Sequence, residues 1–463
     1  MRLLVAFLAA ALAGCTTVNP DGGFGPVEQA AKDRLGKELQ WPRSAADRER
    51  VAARTSELLS QPLKADDAVQ IALLNNRGLR ASFHELGISE AEWVQAGRLP
   101  NPGFVFTRKT QSGDLEIERL FTINLARLIV MPMAVQMESR RFAQTQASVT
   151  MQMLSLASDT RRAYFITVAA DESVRYLRQV MGAAEAGADL GRRMAQVGNW
   201  SKLQQAREQG FYADAALNLA RGVQAQTVAR ERLTRLMGLW GEQAAFQLAE
   251  RLPDLPPQPD DLPNIEQLAM AQRLDVQAAR LGAEQLASNL GLTKATRFIN
   301  VLEVGVINNS YNNAPNQRGY EIALELPLFD FGDTRLAKAE ALYMQAVERT
   351  AEAAVNARSE VRQAYLGYRS AYDIARHYRD EIVPTKKRIS EENLLRYNGM
   401  LIGVFELLAD ARSQIASVNG YIEALRDFWL ARAELDMALI GKPGMSPAMP
   451  MAAPVMSDAG TTH

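Results

Sequence analysis

The residue types that do most of the chemistry in enzymes and metal sites are scarce and scattered in this sequence. The 463-residue chain has one cysteine, Cys15, and three histidines, which are His84, His377 and His463. His84 precedes a glutamate, as in a zinc-protease helix, but Ile88 stands where the second histidine ligand belongs. One cysteine excludes an intrachain disulfide and a multi-thiolate zinc site. The sequence therefore predicts that the protein is not an enzyme and needs no cofactor.

Thioethers are the remaining candidate metal ligands. The C-terminal tail carries four methionines among proline, alanine and serine: Met445, Met449, Met451 and Met456. Thioethers are soft ligands suited to Cu(I) or Ag(I), so a heavy-metal role is one interpretation. The other interpretation is a disordered tail that happens to be rich in methionine.

The charge balance argues against a nucleic-acid partner. The chain has 52 Lys+Arg and 53 Asp+Glu, a formal net charge of −1. Proteins that bind nucleic acid need a basic face to neutralise phosphates. We therefore expect no nucleic acid among the partners.

The N-terminus has the features of an export signal followed by an anchor. Arg2 precedes an apolar run from Leu3 to Ala13, which is too short to span a membrane as a helix. We interpret residues 1–14 as a signal peptide. The ending Leu-Ala-Gly-Cys15 resembles the bacterial lipobox, which implies lipidation of Cys15 and sorting to the outer membrane. The alternative is an ordinary signal peptide with a chance cysteine.

The rest of the chain divides into two similar halves. Residues 15–62 form an N-terminal extension, and residues 252–263 are a proline-rich linker that no helix can cross. The flanking segments 63–251 and 264–442 each open with a helical motif, pass through a strand-like stretch and continue into long helical stretches. This spacing predicts a duplication, followed by a flexible tail at 443–463.

The helical stretches are unusually long. No proline occurs from Met133 to Val197, and about 65 helical residues would extend roughly 95 Å. The second half has a matching run from about Thr334, interrupted by Pro384. Its apolar residues recur at alternating spacings of four and three, at Val361, Tyr365, Tyr368, Tyr372 and Ala375. This spacing predicts helices packed lengthwise as in a coiled coil, although a globular bundle core has the same spacing.

Between the helices, the apolar residues alternate with polar ones, as in β-hairpins. The second half alternates at Leu302, Val304 and Val306 and again from Tyr320 to Leu326, while the first half does so around Phe104 and from Leu115 to Leu125, interrupted by Arg119. One apolar and one acidic face fits a strand with lipid on one side and water on the other. A soluble, half-buried sheet would alternate in the same way. Four strands cannot close a transmembrane barrel, so a membrane role requires several copies.

Together with the lipobox-like N-terminus and the two similar halves, three segments resemble the TolC family of outer-membrane efflux proteins. They are LELPLFDFGDTR at 324–335, QVGNWS at 196–201 and RYNGMLIGVFELLADAR at 396–412. The resemblance covers roughly residues 60–442. It implies a mainly α fold with a small β part: long antiparallel coiled helices forming a trimeric α-barrel, and four strands per protomer in a 12-stranded transmembrane β-barrel. It also implies a homotrimer in outer-membrane lipid, with the helices in the periplasm, docked to a periplasmic adaptor and an inner-membrane pump.

The resemblance also assigns residues to sites. Gly198 and Asn199, and Gly399 and Met400, match the adaptor-contacting tips of the coiled hairpins, with the second glycine moved by one position. Glu406 matches an acidic constriction ring, while the usual second acid reads Ala409 and Asp410 is displaced by one residue. Three further glutamates are expected on the lumen side of the barrel, where they would repel anions: Glu303, Glu321 and Glu325.

The sequence leaves the cargo open. Efflux of small molecules or metal ions is the leading interpretation, and the outer-membrane duct of a type I protein secretion system is the alternative within the same class. A non-conducting structural envelope lipoprotein remains the alternative outside it.

Overall fold

The structure, a computed structural model, describes residues 18–296, 301–325 and 329–442. Cys15, the signal segment, Pro327 and the methionine-rich tail lie outside the described residues. The elements of the N-terminal extension and first half are, in chain order, α1 (Gly25–Leu35), α2 (Ala45–Leu59), α3 (Ala65–Asn75), α4 (Arg77–Ala96), β1 (Gly103–Gln111), β2 (Asp114–Asn124), α5 (Leu125–Gln196) and α6 (Lys202–Met237).

The second half repeats this order after the linker. Its elements are α7 (Ile265–Gln272), α8 (Leu274–Ala295), β3 (Leu302–Tyr311), β4 (Gln317–Leu324), α9 (Asp333–His377), α10 (Val383–Asn398) and α11 (Val404–Ile440). One residue separates the first two helices of each half: Asn76, and Arg273 in the second half. Both residues have an extended backbone with nearly the same φ and ψ. The described residues thus form a mainly helical fold with one small antiparallel sheet.

Helix α5 is longer than the proline spacing predicts. It begins at Leu125, which the alternation assigns to a strand, and includes Pro132. The side chain of Asn124 accepts a hydrogen bond from the backbone N–H of Arg127, so the last strand residue is also the helix cap. Because Pro132 has no N–H, the Leu128 carbonyl loses its intrahelical partner without ending the helix. The 72 residues of α5 span about 108 Å.

Pro384 interrupts the matching stretch of the second half in a different way. The residues before it, Tyr378–Ile382, form a π-helical turn that joins α9 to α10. Proline cannot donate to the carbonyl four residues earlier, and a wider turn accommodates the mismatch without breaking the helical path.

The long helices pack lengthwise in a single layer. Helix α5 contacts α6 on one side and α11 on the other, and α11 also packs on α9 and α10. The predicted seam is confirmed in α9, where four of its five residues are at most 2% exposed: Val361, Tyr368, Tyr372 and Ala375. The fifth, Tyr365, is partly buried beside them.

The linker is not a free connector, because it lies across this layer. Leu252 and Leu255 are buried in the core. The Tyr372 hydroxyl donates to the carbonyl of Pro257 over 2.7 Å, and the indole N–H of Trp429 donates to that of Pro253 over 3.0 Å. The helix layer therefore holds the first half of the proline-rich segment, from Leu252 to Pro257.

The N-terminal extension also has a fixed place. The ring of Phe24 contacts those of Trp41 and Phe83, and all three belong to a core beside α5. The backbone N–H of Asn19 donates to the carboxylate of Glu90 over 3.1 Å. The described extension is therefore packed against the first half.

Candidate functional site

The sheet consists of the four strands in chain order, and each adjacent pair is antiparallel. Strand β2 pairs with β3, so the two halves of the chain join in the middle of the sheet. Strands β1 and β4 form its edges. Edge strands present unpaired backbone groups that can pair with another chain.

One face of the sheet is an apolar surface, defined here by Phe104, Phe121, Val306, Tyr320 and Ile322. The pairing register places the first four of these directly opposite one another across all four strands. Each of the five side chains is at least 55% exposed. Exposed apolar patches of this kind mark surfaces that meet lipid or another protein. Arg119 does interrupt this face, as predicted, and donates to the hydroxyl of Ser310 over 3.0 Å.

The opposite face carries acids near both ends of the strands. Glu303 and Glu321 share it, since Glu321 pairs with Gly305, two residues along from Glu303. Glu325 continues the strand on the same side, with its backbone N–H bonded to the Val301 carbonyl. Near the hairpin turns, Lys109 is 3.4 Å from Glu118. The sequence interpretation missed this second acidic level, because apolar neighbours obscure the alternation of β2.

Helix α5 ends at a turn that contains Gly198, the glycine that the sequence motif singles out. Gly198 has a φ of +80°, and the N–H of Asn199 bonds to the Met194 carbonyl over 2.9 Å. A left-handed residue followed by this backward bond is a Schellman motif, for which glycine is favoured. Ser201 then caps α6 with Gln204 in a capping box.

The turn between α10 and α11 has the same geometry with a different residue in the left-handed position. Gly399 has an ordinary φ of −80°, while Met400 has a φ of +59°. The N–H of Leu401 bonds back to the Arg396 carbonyl over 2.8 Å. Gly399 therefore stands one position before the left-handed residue, and Met400 carries the backbone strain of the positive φ. The Met400 side chain is 93% exposed to solvent.

An ion pair joins the helical hairpin α5–α6 to the helical hairpin α10–α11 near these turns. The Glu208 carboxylate on α6 is 2.6 Å from the guanidinium of Arg412 on α11, although Glu208 is only 1% exposed. The Arg412 guanidinium also lies 4.3 Å from the centre of the Phe211 ring. No sequence signal pointed to this pair, because its members are 204 residues apart.

The two candidate gate acids differ in environment. Glu406 lies in the first turn of α11 and is exposed. Asp410 follows one turn later, on the same side of the helix, and its Oδ2 atom is buried without a hydrogen-bond partner. The pair therefore presents one exposed and one half-buried carboxylate at the end of the layer where the turns lie.

Another group of charges lies beside the linker, around a cavity of about 810 Å³. Arg432 contacts Asp260 of the linker and lies 3.3 Å from Asp436, while Arg161 lies 3.0 Å from Asp66. Burial raises the pKa of Asp436, and the two arginines oppose that rise. These charges balance one another, which fits a structural role.

Among the described residues, no group of three histidine, cysteine or acidic side chains is arranged to hold a metal ion. None of the described helices has an apolar stretch long enough to cross a bilayer.

No protein-family model matches the sequence, and no curated protein sequence does. Solved structures do match it. The Campylobacter jejuni CmeC outer membrane channel matches with a TM-score of 0.70 and 15% identity, over 88% of this chain and 91% of that one. The open state of the Neisseria gonorrhoeae MtrE outer membrane channel matches with 0.68 and 16%, over 81% and 89%.

The chain has the fold of these outer-membrane channels. A membrane protein from Pseudomonas aeruginosa shares this fold as well, with a TM-score of 0.69 and 18% identity over 81% of this chain and 93% of that one. The TolC-like fold expected from the sequence motifs is therefore confirmed.

Proposed function

We propose that the protein is the outer-membrane channel of a tripartite efflux system. In this proposal, three copies close a 12-stranded transmembrane barrel, and their helix layers form a tube that crosses the periplasm. A periplasmic adaptor docks at the turns that carry Gly198, Asn199, Gly399 and Met400, and an inner-membrane pump supplies the energy. Small molecules or metal ions then pass outward through a passive duct.

The observation that carries this proposal is the two-faced sheet whose edge strands, β1 and β4, pair with no further strand among the described residues. One face exposes the apolar surface, and the other carries Glu303 and Glu321. In lipid every backbone polar group must be paired, so a sheet can span only as a closed barrel. Pairing β4 of one copy with β1 of the next would close the sheet, with the apolar surface toward lipid and the glutamates toward the lumen.

The anchor and the gate complete the proposal. Lipidation at Cys15 would add a second hold on the membrane, because a multiply acylated terminus binds far better than a single chain. Glu406, with Asp410 behind it, would ring the three-fold axis at the periplasmic end and favour cations.

The proposal is tested by single-channel recording of the detergent-extracted mature protein in a planar bilayer, together with its native mass. We expect discrete, cation-selective openings from a trimer. A monomer that never conducts would favour the structural lipoprotein instead. The duct of a type I protein secretion system would conduct as well, and co-purification of the adaptor and its pump would distinguish the two.

A further inference from the structure

A groove of about 480 Å³ crosses three helices of the layer, at α5, α6 and α11. It is separate from the turns, the sheet and the cavity beside the linker. On α5 it is lined by Ile166, Ala169, Ala170 and Ser173, and none of these residues lines the cavity beside the linker. Its volume lies within the range that holds a drug-sized molecule.

The floor of the groove is apolar. Ala169, Ala229 and Ile422 form it and are nearly fully buried, and Val228 overhangs it with 61% of its surface exposed. Gly222 keeps the groove narrow, because a Cβ atom there would lie 2.8 Å from the Leu177 side chain. Small residues thus bring α5 and α6 together and leave an apolar channel above their contact.

The rim of the groove is basic. Three arginines line it, Arg221, Arg232 and Arg426, against one acid, Glu423. Arg426 is already committed to Asp427 at 2.8 Å. The Glu423 carboxylate accepts a hydrogen bond from the Asn419 side chain over 3.0 Å.

The other two arginines keep their charge available. Within the described parts of the chain, no carboxylate lies within 4.0 Å of the Arg221 or Arg232 guanidinium. Burial raises the pKa of the Asp159 carboxyl, and the charges of Arg162 and Arg232 oppose that rise. A guanidinium offers a planar pair of N–H donors that matches a carboxylate, sulfonate or phosphate.

We propose that this groove binds an amphipathic organic anion, with its apolar body on Ala169, Ala229 and Val228 and its anionic group against Arg221 and Arg232. The proposal goes beyond the channel function, since a chain that does not conduct can still bind such a ligand. It also gives the helical part a basic site, in contrast to the acidic face of the sheet.

The test is a fluorescence titration of the full chain, in a nonionic detergent at fixed concentration, with two probes of nearly the same shape. One is 1-anilinonaphthalene-8-sulfonate, and the other is the uncharged N-phenyl-1-naphthylamine. We expect Arg221→Gln with Arg232→Gln to weaken binding of the sulfonate by about tenfold or more and to leave the uncharged probe unchanged. Arg178→Gln, an exposed arginine of α5 outside the groove, should change neither.

Ala225→Phe separates the groove from nonspecific adsorption. Ala225 is exposed on the groove lining, so a larger side chain should fill the groove without disturbing the fold, and both probes should lose affinity. Sulfonate affinity that is unchanged in the double arginine variant would overturn the proposal. Binding that appears only after the native assembly is dissociated would also overturn it, because a second copy would then occupy the groove.

Discussion

The hydroxyl of Tyr372 donates a hydrogen bond to the carbonyl of Pro257 over 2.7 Å, which joins two residues that lie 115 positions apart. Tyr368, one turn earlier on α9, accepts from the backbone N–H of Asp260 over 2.9 Å. The same face of α9 thus both packs the core and fixes the linker.

Replacing Tyr372 by Phe should loosen the linker without disturbing the helix layer. The substitution keeps the ring but removes the donor, and a net hydrogen bond contributes about 1 kcal/mol. We expect the opening equilibrium of the linker to rise about fivefold, measured as faster tryptic cleavage after Arg251. Tyr343→Phe, on the same helix with no hydrogen bond among the described residues, is the control. Equal cleavage rates in the two variants would mean that the bond is not holding the linker.

Replacing Met400 by Gly should relieve the turn between α10 and α11. An L-residue in the left-handed region costs roughly 1–2 kcal/mol that glycine avoids. We expect slower amide hydrogen exchange at residues 399–403 in the variant. Gly399→Ala is the matched control, since Gly399 has a negative φ and its added Cβ would meet nothing closer than 3.5 Å. Faster exchange in Met400→Gly would contradict the strain argument.

Replacing Glu208 by Gln should separate the two hairpins. It leaves Arg412 without its counter-ion, and because that side chain is 28% exposed to water, the cost should be smaller than the roughly 3–5 kcal/mol of a fully buried pair. Hydrogen exchange in the facing parts of α6 and α11 should accelerate, and a double variant with Arg412→Gln should lose less than the sum of the single effects. Glu185→Gln, an exposed acid on α5, should have no effect. Strict additivity would show that the two charges do not interact.

Glu406 is the residue through which the proposed gate is tested. Glu406→Ala should raise the single-channel conductance or weaken cation selectivity, and the effect on selectivity should be larger at low ionic strength, where charges are screened less. Glu391→Ala, on the neighbouring helix, serves as the reference. Conductance and selectivity that match the unmodified channel at every salt concentration would remove Glu406 from the gate.

Cys15→Ala tests the relation between anchor and barrel. The substitution removes the acylation site, but we expect the protein to remain in outer-membrane fractions, because a closed barrel holds itself in the bilayer. Fractionation and cross-linking measure this. A soluble periplasmic monomer would mean that the barrel proposal is wrong.

The sequence predicted the long-range architecture well, because proline position and apolar spacing are strong local signals. It placed the helix seam at Tyr368 and Tyr372, both of which are at most 2% exposed. It put the start of α5 too late, because Asn124 ends a strand and caps a helix at once.

Contacts between segments that are far apart in the chain could not be predicted from the sequence. Nothing local distinguishes Glu208 from other helix-surface acids, since its burial depends on Arg412 from the other half of the chain. Likewise the resemblance singled out Gly399 as the displaced glycine of the tip, whereas the hydrogen bonding of the turn puts the positive φ at Met400. The groove rimmed by Arg221 and Arg232 depends on how three helices meet, which periodicity does not specify.

The pairing of β2 with β3 has a consequence for symmetry. Within one chain, this seam joins a first-half hairpin to a second-half hairpin, and a β4–β1 seam between copies would do the same in reverse. A ring of three chains would then be a ring of six hairpins of two alternating kinds. The backbone of this barrel would have nearly six-fold symmetry, but its acidic residues would have only three-fold symmetry. Glu116 and Glu118 belong to the first-half hairpins and lie near the turns, whereas Glu303 and Glu321 belong to the second-half hairpins and lie near the helices. A cation crossing it would meet two acidic levels, one after the other, and Lys109 would offset part of the charge at the level near the turns.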